Sequence, residues 1–199
     1  MPSQIDVINR ALIKLGEDRL ISLEDDTKAA RAVGMVWDTL LDSELARNRW
    51  AFSVRRAILP ALLEPPAWGY SLAYQLPDDC LQLIWVDGAS RSEGIQDFIT
   101  DSTAPFLVEG RTILTDIEAP LQVRYVARVT DPNLWEAPFI EAFSSRLAYE
   151  LAEDLTQSSS KREMAWAEYK TSVGEARRQS AIQNPPQSIP DDSWLQARY

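Results

Sequence analysis

The sequence predicts an α+β protein: an antiparallel four-helix bundle built from both chain ends, an antiparallel β domain inserted between its halves, and an extended carboxy-terminal tail. Three observations predict it. Near both ends of the chain apolar residues recur at three- and four-residue steps, the period of an amphipathic helix. Between them lie short runs of strand-forming residues broken by closely spaced prolines and glycines. Beyond residue 183, Pro185-Pro186 and Pro190 forbid a continued helix. The expected boundaries are residues 1–50 and 134–183 for the bundle, 51–133 for the β insert and 184–199 for the tail.

The first helix follows from Ser3 as cap, from Ile5, Ile8, Leu12 and Leu15 on one face, and from Gly16 as a left-handed stop. After a connector around Leu20 to Leu23, Asp25 or Asp26 is placed to cap a longer helix. Its apolar positions are Ala29, Val33, Val36, Trp37, Leu40, Leu41 and Leu45, and it ends near Arg47 to Trp50. Six strand-like runs follow: Phe52 to Leu59, Tyr70 to Leu76, Leu81 to Val86, Phe106 to Val108, Arg111 to Leu114 and Leu121 to Val129. Glu109-Gly110 reads as a hairpin turn between two of them. In the last run Gln122, Arg124, Val126 and Arg128 alternate with apolar residues and define one largely polar face. Pro138 suits the first turn of a third helix, whose stripe is Ile140, Phe143, Leu147, Leu151 and Leu155. Ser160 with Glu163 reads as a capping box for a fourth, carrying Trp166, Tyr169, Val173 and Ala176 on one face. Stripes this apolar need one another, and a bundle is the simplest way to bury them.

The composition excludes much chemistry. The 199 residues include no histidine, which removes Ser-His-Asp and Cys-His nucleophile systems, histidine metal sites and imidazole acid-base catalysis. With 20 basic against 30 acidic residues the net charge is -10, which opposes tight, non-specific binding to phosphate backbones or anionic membranes. The seven glycines are too scattered for a dinucleotide fingerprint or a P-loop, and no cofactor or metal site is indicated. The opening Met1-Pro2-Ser3-Gln4-Ile5-Asp6 has no basic segment leading into an apolar run, so the expectation is a protein made and folded in the cytoplasm.

Four features remain as candidates. The carboxylate clusters Glu24-Asp25-Asp26, Asp78-Asp79 and Asp191-Asp192 fit helix caps, a turn and a tail better than a pair of hydrolytic acids. Cys80, beside Asp78 and Asp79 and with no histidine to activate it, reads as buried filler rather than a nucleophile. The basic pairs Arg55-Arg56, Lys161-Arg162 and Arg177-Arg178 fit solvated faces or salt bridges better than a grip on DNA. Among seven tryptophans, Trp37, Trp50 and Trp166 fall on or beside helical stripes. Trp68, Trp135 and Trp194 lie in loops or the tail, where a large ring either staples its own loop or anchors a partner.

An ordered series of short segments carries a resemblance: Leu15-Gly16-Glu17, Ile21-Ser22-Leu23-Glu24-Asp25, Arg49-Trp50-Ala51-Phe52, Ala57-Ile58-Leu59-Pro60, Tyr70 to Tyr74, Leu76-Pro77-Asp78-Asp79-Cys80-Leu81, and Pro138 to Leu155. Spread over most of residues 4–180, the series resembles the tail tubular protein A family of short-tailed bacteriophages. The resemblance implies a structural virion protein of the tail neck, made in the host cytoplasm and without enzymatic activity. In that family a ring, typically of twelve copies, joins the portal protein to the tail nozzle protein and leaves an axial channel through which DNA passes without specific binding. On that reading Trp194, Leu195 and Tyr199 are expected to dock on the portal. Trp68, Tyr70 and Trp135 are expected to face a neighbouring subunit or the nozzle. The alternatives are a carboxylate-based glycan hydrolase using Asp78 or Asp79, and a protein-interaction scaffold outside phage.

Overall fold

Ser3 sits at the head of the first helix and closes a capping box. Its hydroxyl accepts from the Asp6 N–H at 3.1 Å, and the Asp6 carboxylate accepts from the Ser3 N–H at 2.8 Å. The computed structural model describes residues 2–87 and 105–183, and it places this helix, α1, at Gln4–Leu15. Gly16 ends it at φ +69°, a conformation that costs a residue with a Cβ more than glycine. The Lys161 Nζ donates to the Leu15 carbonyl at 2.6 Å and satisfies one of the free acceptors at that end.

Helix α2 spans Lys28–Arg47, and Thr27 caps it, accepting from the Ala30 N–H at 3.1 Å. The expected caps, Asp25 and Asp26, are two and one residues too early because both are engaged elsewhere. The Asp25 carboxylate accepts from the N–H groups of Ile21 and Ser22 in the connector, and Asp26 pairs with Arg31. Helix α3 is Ala137–Thr156, with a proline in its first turn as expected, and α4 is Ser159–Gln183. Ser160 lies inside α4; the hydroxyl of Ser158, at 3.4 Å from the Lys161 N–H, takes the capping place.

The strands are β1 (Val54–Leu59), β2 (Leu72–Gln75), β3 (Cys80–Val86), β4 (Phe106–Glu109), β5 (Thr112–Thr115) and β6 (Leu121–Ala127). They form two three-stranded antiparallel sheets, ordered β1-β6-β3 and β2-β5-β4. The β4–β5 hairpin turns at Gly110, φ +58°, after the Glu109–Thr112 pair. The two sheets share a core of Leu59, Tyr74, Leu76, Ile113, Leu121, Val123 and Tyr125. A second core joins the helices around Phe139, Phe143, Leu147, Leu41, Leu12 and Trp50.

The α+β class stands, but the regular four-helix bundle carrying one inserted β domain does not. Helix α3 is the hub on which α1, α2 and α4 pack. The lengths explain why: α1 has 12 residues against 20 for α3 and 25 for α4, so it runs beside its neighbours for only part of their length. Helix α4 buries a narrow stripe, Ala165, Tyr169, Val173, Ala176 and Ser180, enough to face α3 but not to close a ring of four. Helix α2 divides its contacts between α3 and the strands β3 and β6. The β region is two three-stranded sheets, and β6 is enclosed on both faces near its end, where Val126 and Ala127 are fully buried. The face of β6 expected to be polar therefore changes character along its length. Gln122 is exposed, whereas Arg128 is held by Asp42 at 2.5 Å and by Asp38 at 2.7 Å from α2. The tail expected at residues 184–199 lies outside the described residues. Among the described residues no helix is long and apolar enough to cross a membrane.

Candidate interaction surface

The connection from β1 to β2 is pinned at both ends and apolar between. At its start the Leu62 N–H donates to the Ala73 carbonyl at 2.8 Å, and Ala61 pairs with Tyr74. At its end both the N–H and the hydroxyl of Ser71 donate to Asp116 Oδ1, at 2.8 and 2.6 Å. These donated bonds hold the Asp116 carboxyl below the usual range. Pro65 and Pro66 stiffen the middle, and Gly69, at φ +90°, turns the chain where a side chain would be strained. Between the anchors large apolar side chains point outward, with Leu63 fully exposed and Trp68 79% exposed; just before the first anchor, Ile58 near the end of β1 is 68% exposed. A fixed loop that leaves this much apolar surface in water is a candidate contact surface.

The residues singled out in the sequence are distributed unevenly about this surface. Trp68 stands in it, and Tyr70 is half-buried at its edge. Trp135 does not belong to it. At 6% exposure it is part of the helical core, stacked on Trp37 with ring centroids 6.2 Å apart and edge-on to Phe139 at 5.2 Å, and its Nε1 donates to the Val129 carbonyl at 2.9 Å. Its place in a loop concealed this, because the 3-10 turn Pro132–Leu134 folds the ring inward. The expected contact of Trp135 with a neighbouring subunit or the nozzle is therefore corrected: its ring is enclosed within the chain's own helical core. Trp194, Leu195 and Tyr199 lie outside the described residues.

The other candidates have local uses. The Asp79 carboxylate accepts from Arg55 at 2.7 Å and from the Tyr125 hydroxyl at 3.1 Å, while Asp78 is exposed. Cys80 is buried between the sheets; burial is the main cause that pushes its thiol up, with Asp79 adding to it and Arg111 opposing. Lys161 covers the end of α1, and Arg162 pairs with Glu153 at 2.5 Å. Among the described residues no group of three or more His, Cys, Asp or Glu side chains is placed to hold a metal ion.

Sequence reasoning missed one buried polar site altogether. Glu44 of α2 is almost completely buried, accepts from the Tyr169 hydroxyl of α4 at 2.9 Å and from Asn48 Nδ2 at 2.9 Å, and joins two helices through its carboxylate. Its one signal was an acidic residue directly before the apolar Leu45 in a helical stripe. Compared with protein-family models and with curated proteins, the chain matches none.

Proposed function

We propose that this chain is a head-to-tail adaptor of a short-tailed bacteriophage. Identical copies form a ring, a dodecamer in the virion, between the portal protein and the tail nozzle protein, and DNA passes through its axial channel unbound. The observation that carries this reading is the pinned apolar surface from Ile58 to Trp68, which the folded chain leaves in water. A ring made of head-to-tail contacts requires such a surface on every subunit, matched by a different one on the next. Many modest contacts repeated around the ring then hold it without a tight single site. The net charge of -10 supports a conduit role, because an acidic lining does not retard a phosphate backbone.

The deciding experiment mixes the chain with portal protein and images the product by electron microscopy. The expected result is a ring stacked coaxially on the portal; a folded chain that leaves the portal bare overturns the proposal. Trp68→Ala is expected to impair ring formation while changing stability by less than about 0.5 kcal/mol, because the ring contacts little within its own chain. A large loss of thermal stability with normal assembly would reassign Trp68 to its own loop. Removing residues 184–199, and with them Trp194, Leu195 and Tyr199, is expected to abolish portal attachment and leave the circular dichroism spectrum of the helices unchanged. Portal attachment equal to that of the full chain sinks the assignment of those residues.

A further inference from the structure

The outer face of the β1-β6-β3 sheet carries a second feature of different chemistry. In the antiparallel register Arg56 of β1 lies directly opposite Arg124 of β6, and Trp85 of β3 lies opposite Arg124 on its other side. Directly opposed residues share a face, so two guanidiniums and an indole stand in one row. They line a cavity of about 400 Å³ together with Ile58 and Gln122.

Like charges set directly opposite on a sheet destabilise it, and an acidic residue nearby is the usual remedy. Among the described residues neither arginine has an ion-pair partner. The Arg124 Nε is moreover buried with no hydrogen-bond acceptor, a cost the fold leaves standing. The chain has carboxylates in excess, 30 acidic against 20 basic residues, so the lack is local. Four residues further on, Arg128 shows the satisfied arrangement, with one carboxylate on its Nε and another on its fork.

We propose that this cavity is a binding site for the carboxylate side chains of an acidic protein segment, held by Arg56 and Arg124 against the apolar walls of Trp85 and Ile58. The charge of the cavity selects an anion, and arginine's planar fork matches the two oxygens of a carboxylate. The half-exposed Trp85 and exposed Ile58 select apolar neighbours of that anion. A nucleic-acid strand is the poorer fit. It needs a track of cations along its backbone, and here two stand together on a chain that is strongly acidic as a whole.

The test uses the full chain and fluorescence anisotropy with three labelled probes: a hexapeptide of alternating glutamate and leucine, the same peptide with glutamine for glutamate, and a hexathymidylate. The acidic peptide is expected to bind most tightly. Its affinity is expected to fall about tenfold in Arg124→Gln, several-fold in Arg56→Gln, and not at all in Arg31→Gln, an α2 residue whose guanidinium pairs with Asp26 in the connector before that helix. The thermal midpoints of Arg124→Gln and Arg56→Gln should equal or exceed that of the unaltered chain, since each relieves a like-charge pair; arginines kept for stability would give the opposite. Should Arg124→Gln not fold, the exposed Arg56→Gln carries the result. Equal binding of the glutamine peptide, or no loss in either arginine variant, overturns the proposal. Tighter binding of the thymidylate would transfer the site to nucleic acid and overturn it equally.

Discussion

Phe139→Ala is expected to destabilise the protein by about 3–5 kcal/mol, the largest effect of any single substitution considered. Phe139 has no exposed surface, and its ring is the centre of the helical core. It meets Trp50 and Phe52 edge-on at 5.0 Å each and Trp135 at 5.2 Å, and it stacks on Phe143 at 5.8 Å. Those neighbours come from the link after α2, the 3-10 turn Ala51–Ser53 that leads into β1, the turn before α3, and α3 itself. Truncation therefore opens a cavity at the junction of helices and sheet, where no one element can collapse to fill it. At roughly 2–4 °C per kcal/mol for a chain of this length, the thermal midpoint should fall by about 6–20 °C. Thermal melting followed by near-ultraviolet circular dichroism measures it, and a loss under about 1 kcal/mol would show that the aromatic cluster is not the keystone.

Glu44→Ala is expected to cost about 3 kcal/mol, because it leaves the Tyr169 hydroxyl and the Asn48 amide without their acceptor in a buried place. Glu44→Gln, which keeps shape and an acceptor oxygen, should cost about a third of that. Urea denaturation of the pair tests this, and equal losses would mean that packing rather than hydrogen bonding matters. The same site sets an alkaline limit. Burial, and then the negative charge of Glu44, push the Tyr169 hydroxyl above its ordinary value. A folded-state pKa raised above the unfolded one means that the folded chain holds this proton more tightly. The stabilisation is thus fully present below about pH 10 and is lost as the pH rises through the folded value. Tyr74 and Tyr125 shift the same way, chiefly by burial. Tyr169→Phe should lower stability at pH 8 yet flatten its decline above pH 10, and an unchanged alkaline limb would remove Tyr169 from that role.

Local signals in the sequence located most elements correctly because their causes are local. Ser3 with Asp6, Gly16, Pro138 and Glu109-Gly110 act through backbone angles and neighbours a few residues away, so the residue types alone place α1, α3 and the β4–β5 hairpin. The start of α2 shows where this stops: Asp25 and Thr27 are both competent caps, and the connector's need for an acceptor at Ile21 and Ser22 decides between them. The candidate surface was legible in part. Trp68 and Trp135 both stood out as loop tryptophans, but the sequence did not tell which of them the fold would cover.

Chain order and composition were enough to establish an α+β protein, its helical ends and its strand-rich middle, because periodicity and turn chemistry are properties of a few consecutive residues. Which polar and aromatic groups are enclosed was decided only when distant segments met. Arg124 and Arg128 are the same residue type four positions apart. Helix α2 brings Asp38 and Asp42 to Arg128 and passes Arg124 by, and Glu44 is buried because Tyr169 arrives from 125 residues away. Burial and ion pairing are set by what packs from elsewhere in the chain, so the tertiary structure, not the pattern along the sequence, determines which arginine and which tryptophan remain available to a partner.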